Sequence, residues 1–257
     1  MHLERPDGAR IHYEVRGEGP LVVLSLGFAA TPATYEGLVA DLARDHRVLT
    51  WEPRGCGSSS GEGPFDIATD ADDLLALIRA AGAPALVYAA GHGVNVSMHA
   101  AARYPGAVRA FVTPGIVTAL RGHLEGTDGF ASSQPVLEML IQQLRRDPRA
   151  SVRATIGSLN PQLDDEALRA RVDETLAYTD AETTLARLES WLETESGLED
   201  LRALGGRLAI VWHEGDSWQA GSIPRVRELL PEARIVQVED GPLSRPDLAA
   251  DVVREMA

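Results

Sequence analysis

The sequence predicts an α/β protein with a mostly parallel central sheet flanked by helices. Three observations carry this. Short apolar runs such as "PLVVLSLGF", "PALVYAAG" and "RLAIVWHEGD" have the unbroken hydrophobicity of strands buried on both faces. Segments of helical period fall between them, the order that builds a parallel sheet. At 257 residues the chain is long enough for one large domain with an inserted subdomain.

Taken in order, "RIHYEVRG" alternates and reads as an edge strand, and "PLVVLSLGF" follows as a buried one. "YEGLVADLARD" has helical spacing, and "HRVLTWEP" is a strand ending in the turn "RGCGSSSGEG". "DIATDADDLLALIRAAG" is an amphipathic helix, with Thr69 or Asp70 as N-cap and Gly82 as the stop. Then come "PALVYAAG", a helix starting at the next glycine turn, and the strand "VRAFVTPG". From residue 116 to 199 the signals are helical only, with "PVLEMLIQQLRRD", "PRASVRATIGSL", "DDEALRARVDETLAY" and "DAETTLARLESWLETE". Strand order resumes with "RLAIVWHEGD", a helix at "SIPRVRELLPE", the strand "ARIVQVED" and a last helix from Pro246. The chain thus divides into a core of residues 1–115 and 200–257 and a helical cap of 116–199. An insertion so placed roofs the carboxyl edge of the sheet, where open α/β sheets bind ligands.

Composition excludes several chemistries. A net charge of −14 argues against nucleic acid or an anionic membrane as partner. All 24 basic residues are arginine, so no lysine Schiff base can form. A single cysteine, Cys56, rules out an internal disulfide or a cysteine metal cluster. No histidine pair has ligand spacing with a carboxylate, and "GEGP" opens a strand without the lysine of a phosphate loop. No metal and no cofactor is expected. The start lacks the basic and apolar regions of a signal peptide, and no apolar run reaches bilayer length, so a cytoplasmic location is expected. The oligomeric state is left open.

Five stretches in order resemble the α/β-hydrolase fold family over nearly the whole chain. "GEGPLVVLSLGF" is similar to its oxyanion strand and loop, and "HRVLTWEPRGCGSSSG" to its Asp-x-Arg-Gly-x-Gly-x-Ser turn. "AAGHGVNVSMHAAARYPGAVRAFV" resembles the nucleophile elbow and its helix. "LAIVWHEGDSW" resembles the strand bearing the acid, and "EDGPLSRPDLAADVV" the loop bearing the histidine. The resemblance implies a Ser, Asp, His order. Carried over residue by residue, these fall at Gly93, Asp216 and Pro242. Only the acid is present; Leu26 stands for the oxyanion histidine and Asn95 for the elbow's second glycine.

Glycine has no attacking atom and proline no titratable nitrogen, so the serine hydrolase route is closed. Ser97, a helical turn further on, faces packing, and Cys56 reads as structural. By the same resemblance, the amides of Phe28 and Val94 are oxyanion donors, and main-chain donors survive side-chain replacement. Gly93 leaves a void that a substrate ring could occupy; Gly27, His92, Trp218, His123 and Pro242 complete the candidate binding set. His213, three residues before Asp216, is either a general base or a supporting hydrogen-bond partner. Asp216 is either a general acid or base under the cap, or the cap of its own loop. Glu52 holds the loop near the elbow, Trp191 and the leucines of the insertion form its core, and His2, His12, His46 and His99 read as surface or packing.

Three functions fit. One is a non-hydrolytic enzyme working through enolate-like states on a bulky metabolite, polyketides included, by elimination, cyclisation, decarboxylation or C–C bond formation. The second is a silent binder of a small molecule or protein. The third is a hydrolase in which an unorthodox base activates water.

Overall fold

Eight strands form one sheet in a computed structural model that describes every residue except 28–29, 83, 116–118, 121, 125–126, 128–133, 195–196, 217–219 and 242. They are β1 (His2–Glu4), β2 (Arg10–Arg16), β3 (Leu21–Ser25), β4 (Arg47–Trp51), β5 (Ala85–Ala89), β6 (Val108–Thr113), β7 (Leu208–Trp212) and β8 (Arg234–Gln237). Their spatial order is β1-β2-β4-β3-β5-β6-β7-β8. β1 and β2 pair antiparallel, as do β2 and β4; every other pairing is parallel. β2 is therefore not an edge. The three residues His2–Glu4 cover it, a strand too short to leave a periodic signal.

The buried runs read in the sequence become β3 and β5, whose residues are all buried. Helices cover both faces, as a sheet with two apolar faces requires. α1 (Glu36–Leu42) and α10 (Pro246–Met256) pack on one face around Leu24, Leu38, Tyr88 and Val253. α2 (Ile67–Ala80), α3 (His92–Arg103), α8 (Leu198–Leu204) and α9 (Ile223–Leu229) pack on the other, around Leu49, Leu74, Val87 and Phe111. The N-cap of α2 is Asp66, not Thr69 or Asp70: its carboxylate accepts from the Thr69 amide at 2.7 Å. Asp70 is instead turned inward and buried.

α4 (Gln134–Arg146), α5 (Pro148–Leu159), α6 (Asp165–Tyr178) and α7 (Ala181–Glu193) follow β6 and share a separate apolar cluster. It is built on Leu137, Ile141, Leu144, Val152, Ile156, Val172 and Leu188, with Trp191 against it. Ala119, Leu120 and Leu124, expected at the entry to this cap, pack into the sheet-side core instead. Among the described residues no helix is long and apolar enough to cross a membrane.

Candidate active site

β5 ends at Ala89 and α3 begins at His92, so the chain reverses within two residues. Gly91 makes the turn with φ 54° and ψ −130°, a conformation that side chains occupy only at a cost. A Cβ placed there would meet nothing nearer than the Gly27 Cα at 3.4 Å. His92 follows as the first helical residue. First-turn amides have no acceptor inside their own helix, and the helix dipole favours negative charge beside them.

The strained strand-to-helix turn therefore lies at Gly91, two residues before the expected Gly93. A Cβ at Gly93 would stand 2.2 Å from the Ser25 carbonyl oxygen and 2.9 Å from that of Leu26. Gly93 is where α3 seats on β3, and it leaves no void for a substrate ring. Nor is the Val94 amide an oxyanion donor. It donates to the Gly91 carbonyl at 3.0 Å, closing the first turn of the helix. Ser97 is fully buried within α3.

Beside the turn, between sheet and cap, is a cavity of about 60 Å³. The core contributes Leu26, Gly27, Ala30, Trp51, Pro53, Cys56 and His92; the cap contributes Thr175, Tyr178, Thr179, Thr184, Arg187 and Leu188. Gly27 and His92 are thus the two expected binding residues that the fold brings to this wall. A side chain at position 27 would run into the backbone of Ala90, Gly91 and His92 at 2.8–3.0 Å.

A buried ion pair joins cap to core here. Arg187 of α7 donates from Nε and Nη2 to the Asp70 carboxylate at 2.8 and 3.2 Å. Its Nη2 also reaches the Arg54 carbonyl at 2.6 Å, and Nη1 the Cys56 sulfur at 3.6 Å. The Gly57 amide donates to the Tyr178 carbonyl at 2.7 Å, and Cys56 bridges to Thr179. A second, more exposed clasp lies on α6. Thr31 donates to Glu174 at 2.5 Å and Arg171 to the Thr34 hydroxyl at 2.7 Å.

Burial sets the protonation of the wall. It pushes the His92 imidazole down to about 4, with nearby Asp70 pulling weakly the other way. It pushes the Cys56 thiol up against the opposing pull of Arg187, and the Tyr178 phenol well up. His92, Cys56 and Tyr178 are accordingly neutral at pH 7. His92 Nε2 and Thr175 Oγ1 are buried with no hydrogen-bond partner among the described residues.

The remaining expected residues lie elsewhere. The His213 ring is half-buried beside two glycines: a Cβ on Gly215 would stand 3.2 Å from its Nδ1, and one on Gly241 3.0 Å from its Nε2. The Asp216 amide donates to the His213 carbonyl at 3.0 Å, and its own carbonyl accepts from Ala220 at 2.9 Å. Neither side chain lines the cavity. His123 is exposed and its amide turns back to Leu120. Phe28, Trp218 and Pro242 lie outside the described residues. Among the described residues no group of three or more His, Cys, Asp or Glu is placed to hold a metal ion. Glu52 holds its loop by accepting from the Ser58 amide at 2.6 Å.

The profile of the family described as alpha/beta hydrolase fold matches residues 20–152. The chain belongs to this family. "Putative carbamate hydrolase RutD" of Azorhizobium caulinodans is 26% identical over 262 residues, covering 96% of this chain and 93% of that protein. "Polyketide synthase ThaQ" of Burkholderia thailandensis is 34% identical over 121 residues, 46% of this chain but 6% of the synthase. Among solved structures, the esterase EaEST from Exiguobacterium antarcticum superposes with a TM-score of 0.80 at 15% identity, over 99% of this chain and 98% of that one. At such identity the likeness is one of fold. In this alpha/beta hydrolase, Cys56, Thr175, Tyr178 and Arg187 form much of the cavity wall, although sequence reading gave them no functional role. Arg187 carried a usable signal: it interrupts the apolar stripe of Thr184, Leu188 and Trp191 on α7.

Proposed function

We propose that this alpha/beta hydrolase acts on a small-molecule carbonyl compound without forming an acyl-enzyme. The observation that carries the proposal is Gly91. The family's nucleophile occupies the strained turn between strand and helix, and here that turn holds a residue with no side chain. The triad is then degenerate: Gly91 in place of serine, Asp216 as the acid position, and Pro242 at the histidine position. The oxyanion donor is the His92 amide, at the first position of α3. An amide so placed stabilises an enolate as well as a tetrahedral oxyanion. Elimination, cyclisation or C–C bond formation through an enolate-like state needs no covalent intermediate.

The partial likeness to a polyketide synthase supports a metabolite of that kind. A cavity of about 60 Å³ takes only the reacting end of such a molecule. A second reading, a binding protein without catalysis, is favoured by one observation: His213 and Asp216 are absent from the cavity wall.

Acylation can be read directly. Intact-mass spectrometry after mixing the protein with p-nitrophenyl acetate is expected to show no added acetyl group, and a chain without lysine gives little background. Rapid acetylation of a cavity residue, discharged on standing, would remove the proposal. Catalysis and mere binding separate on Asp216→Asn and His213→Ala in a metabolite conversion screen. Loss of product formation in either favours the enzyme.

A further inference from the structure

The charges around the cavity are arranged in an unusual way. Its single charged lining residue among those described is Arg187, and no aspartate or glutamate lines it. The Arg187 charge is answered by Asp70, which is itself buried. Nε and Nη2 are committed to Asp70 and the Arg54 carbonyl. Nη1 gives one hydrogen to the Cys56 sulfur at 3.6 Å; a guanidinium Nη carries two. One donor therefore remains for a guest, while the positive charge is already matched.

We infer that the cavity binds an uncharged carbonyl compound and discriminates against its carboxylate and ammonium counterparts, a reading that rests on the cavity being the substrate site. A neutral amide or ketone oxygen can accept the remaining Nη1 hydrogen at no cost in net charge. A carboxylate would bring a second negative charge into a buried place whose cation is already paired, and it would have to give up its hydration. An ammonium finds no carboxylate on the wall at all. Burial that keeps His92, Cys56 and Tyr178 neutral leaves no other countercharge for either ion. The cavity volume of about 60 Å³ suits a short acyl group or a small amide.

Propionamide and propionate are near-isosteric and of this size, so they form the test pair. Ligand-observed NMR titrations of the full chain at pH 7 are expected to give propionamide a Kd at least tenfold below that of propionate. Asp70→Asn leaves Arg187 unanswered and is expected to shift the ratio at least tenfold toward propionate. The wild-type comparison stands even if that variant does not fold. Equal or tighter binding of propionate to the wild type overturns the inference but leaves the non-covalent reading of function in place. Binding of neither compound removes both the inference and the cavity as substrate site. An acetylated protein in the mass experiment sinks only the functional proposal.

Discussion

Gly93 and Ser25 are in backbone contact, so close that a β-carbon at 93 would lie 2.2 Å from the Ser25 carbonyl oxygen. The neighbouring Ser25 hydroxyl donates to the Gly93 carbonyl at 3.3 Å, which ties α3 to β3 from the other side. This contact sorts the two glycines of the turn. Gly93→Ser must push helix from strand and is expected to cost at least about 3 kcal/mol. Gly91→Ser meets only ordinary contact and carries the backbone cost of its positive φ, about 1–2 kcal/mol. Urea denaturation of both variants measures the difference; equal losses would return the nucleophile position to 93.

His92 gives stability a pH dependence of definite sign. Its folded-state value, about 4, lies below the ordinary imidazole value of 6.5, so between these values the unfolded chain binds more protons than the native one. Stability therefore falls as pH drops from 6.5 toward 4 and levels off below, by about 3 kcal/mol in all. Asp45, held down to about 2 by Arg254 and His46, loses its contribution only at lower pH, below the ordinary carboxylate value of 3.8. His92→Gln is expected to flatten the upper window and leave the lower one intact. Denaturation midpoints at half-unit pH steps test this.

Arg187 and Asp70 couple cap to core. Arg187→Met strands a buried carboxylate and is expected to cost about 3–5 kcal/mol. Combining it with Asp70→Asn should cost clearly less than the two single changes added together. A double-mutant cycle in urea gives the coupling, and strict additivity would contradict the pairing.

Cys56 is a built-in reporter of the cap. It is buried on the cavity wall, and it is the only cysteine in the chain. Removing the exposed clasp with Arg171→Ala and Glu174→Ala takes away hydrogen bonds worth about 0.5–1.5 kcal/mol each. Carbamidomethylation of Cys56 by iodoacetamide should then accelerate about fivefold or more while the melting temperature moves little. An unchanged rate would mean that α6 does not control entry.

Much of this architecture was readable in the residues. The continuous apolar runs at β3, β5 and β7 announced the sheet, because burial on two faces leaves an unmistakable composition. What escaped was geometry between segments. His2–Glu4 is too short for any period to register. Gly-x-Gly reads equally well with the turn at either glycine; the positive φ of Gly91 and the close approach of Gly93 to Ser25 tell them apart. Asp70 and Arg187 each break an apolar stripe, but nothing in a single chain says that 117 residues of separation close into one ion pair. His213 and Asp216 are close in sequence, yet the cavity wall is assembled from the loops after β3 and β4, Trp51, the start of α3 and the cap.

The roof is self-sufficient in one further respect. Leu144, Val152, Ile156 and Val172 satisfy one another rather than the strands beneath. Side chains that α6 and α7 turn to the cavity, such as Thr175 and Thr184, can accordingly be exchanged without disturbing that cluster, provided Arg187 keeps its core partner Asp70. A graft of α4–α7 from a relative must therefore carry position 70 with it.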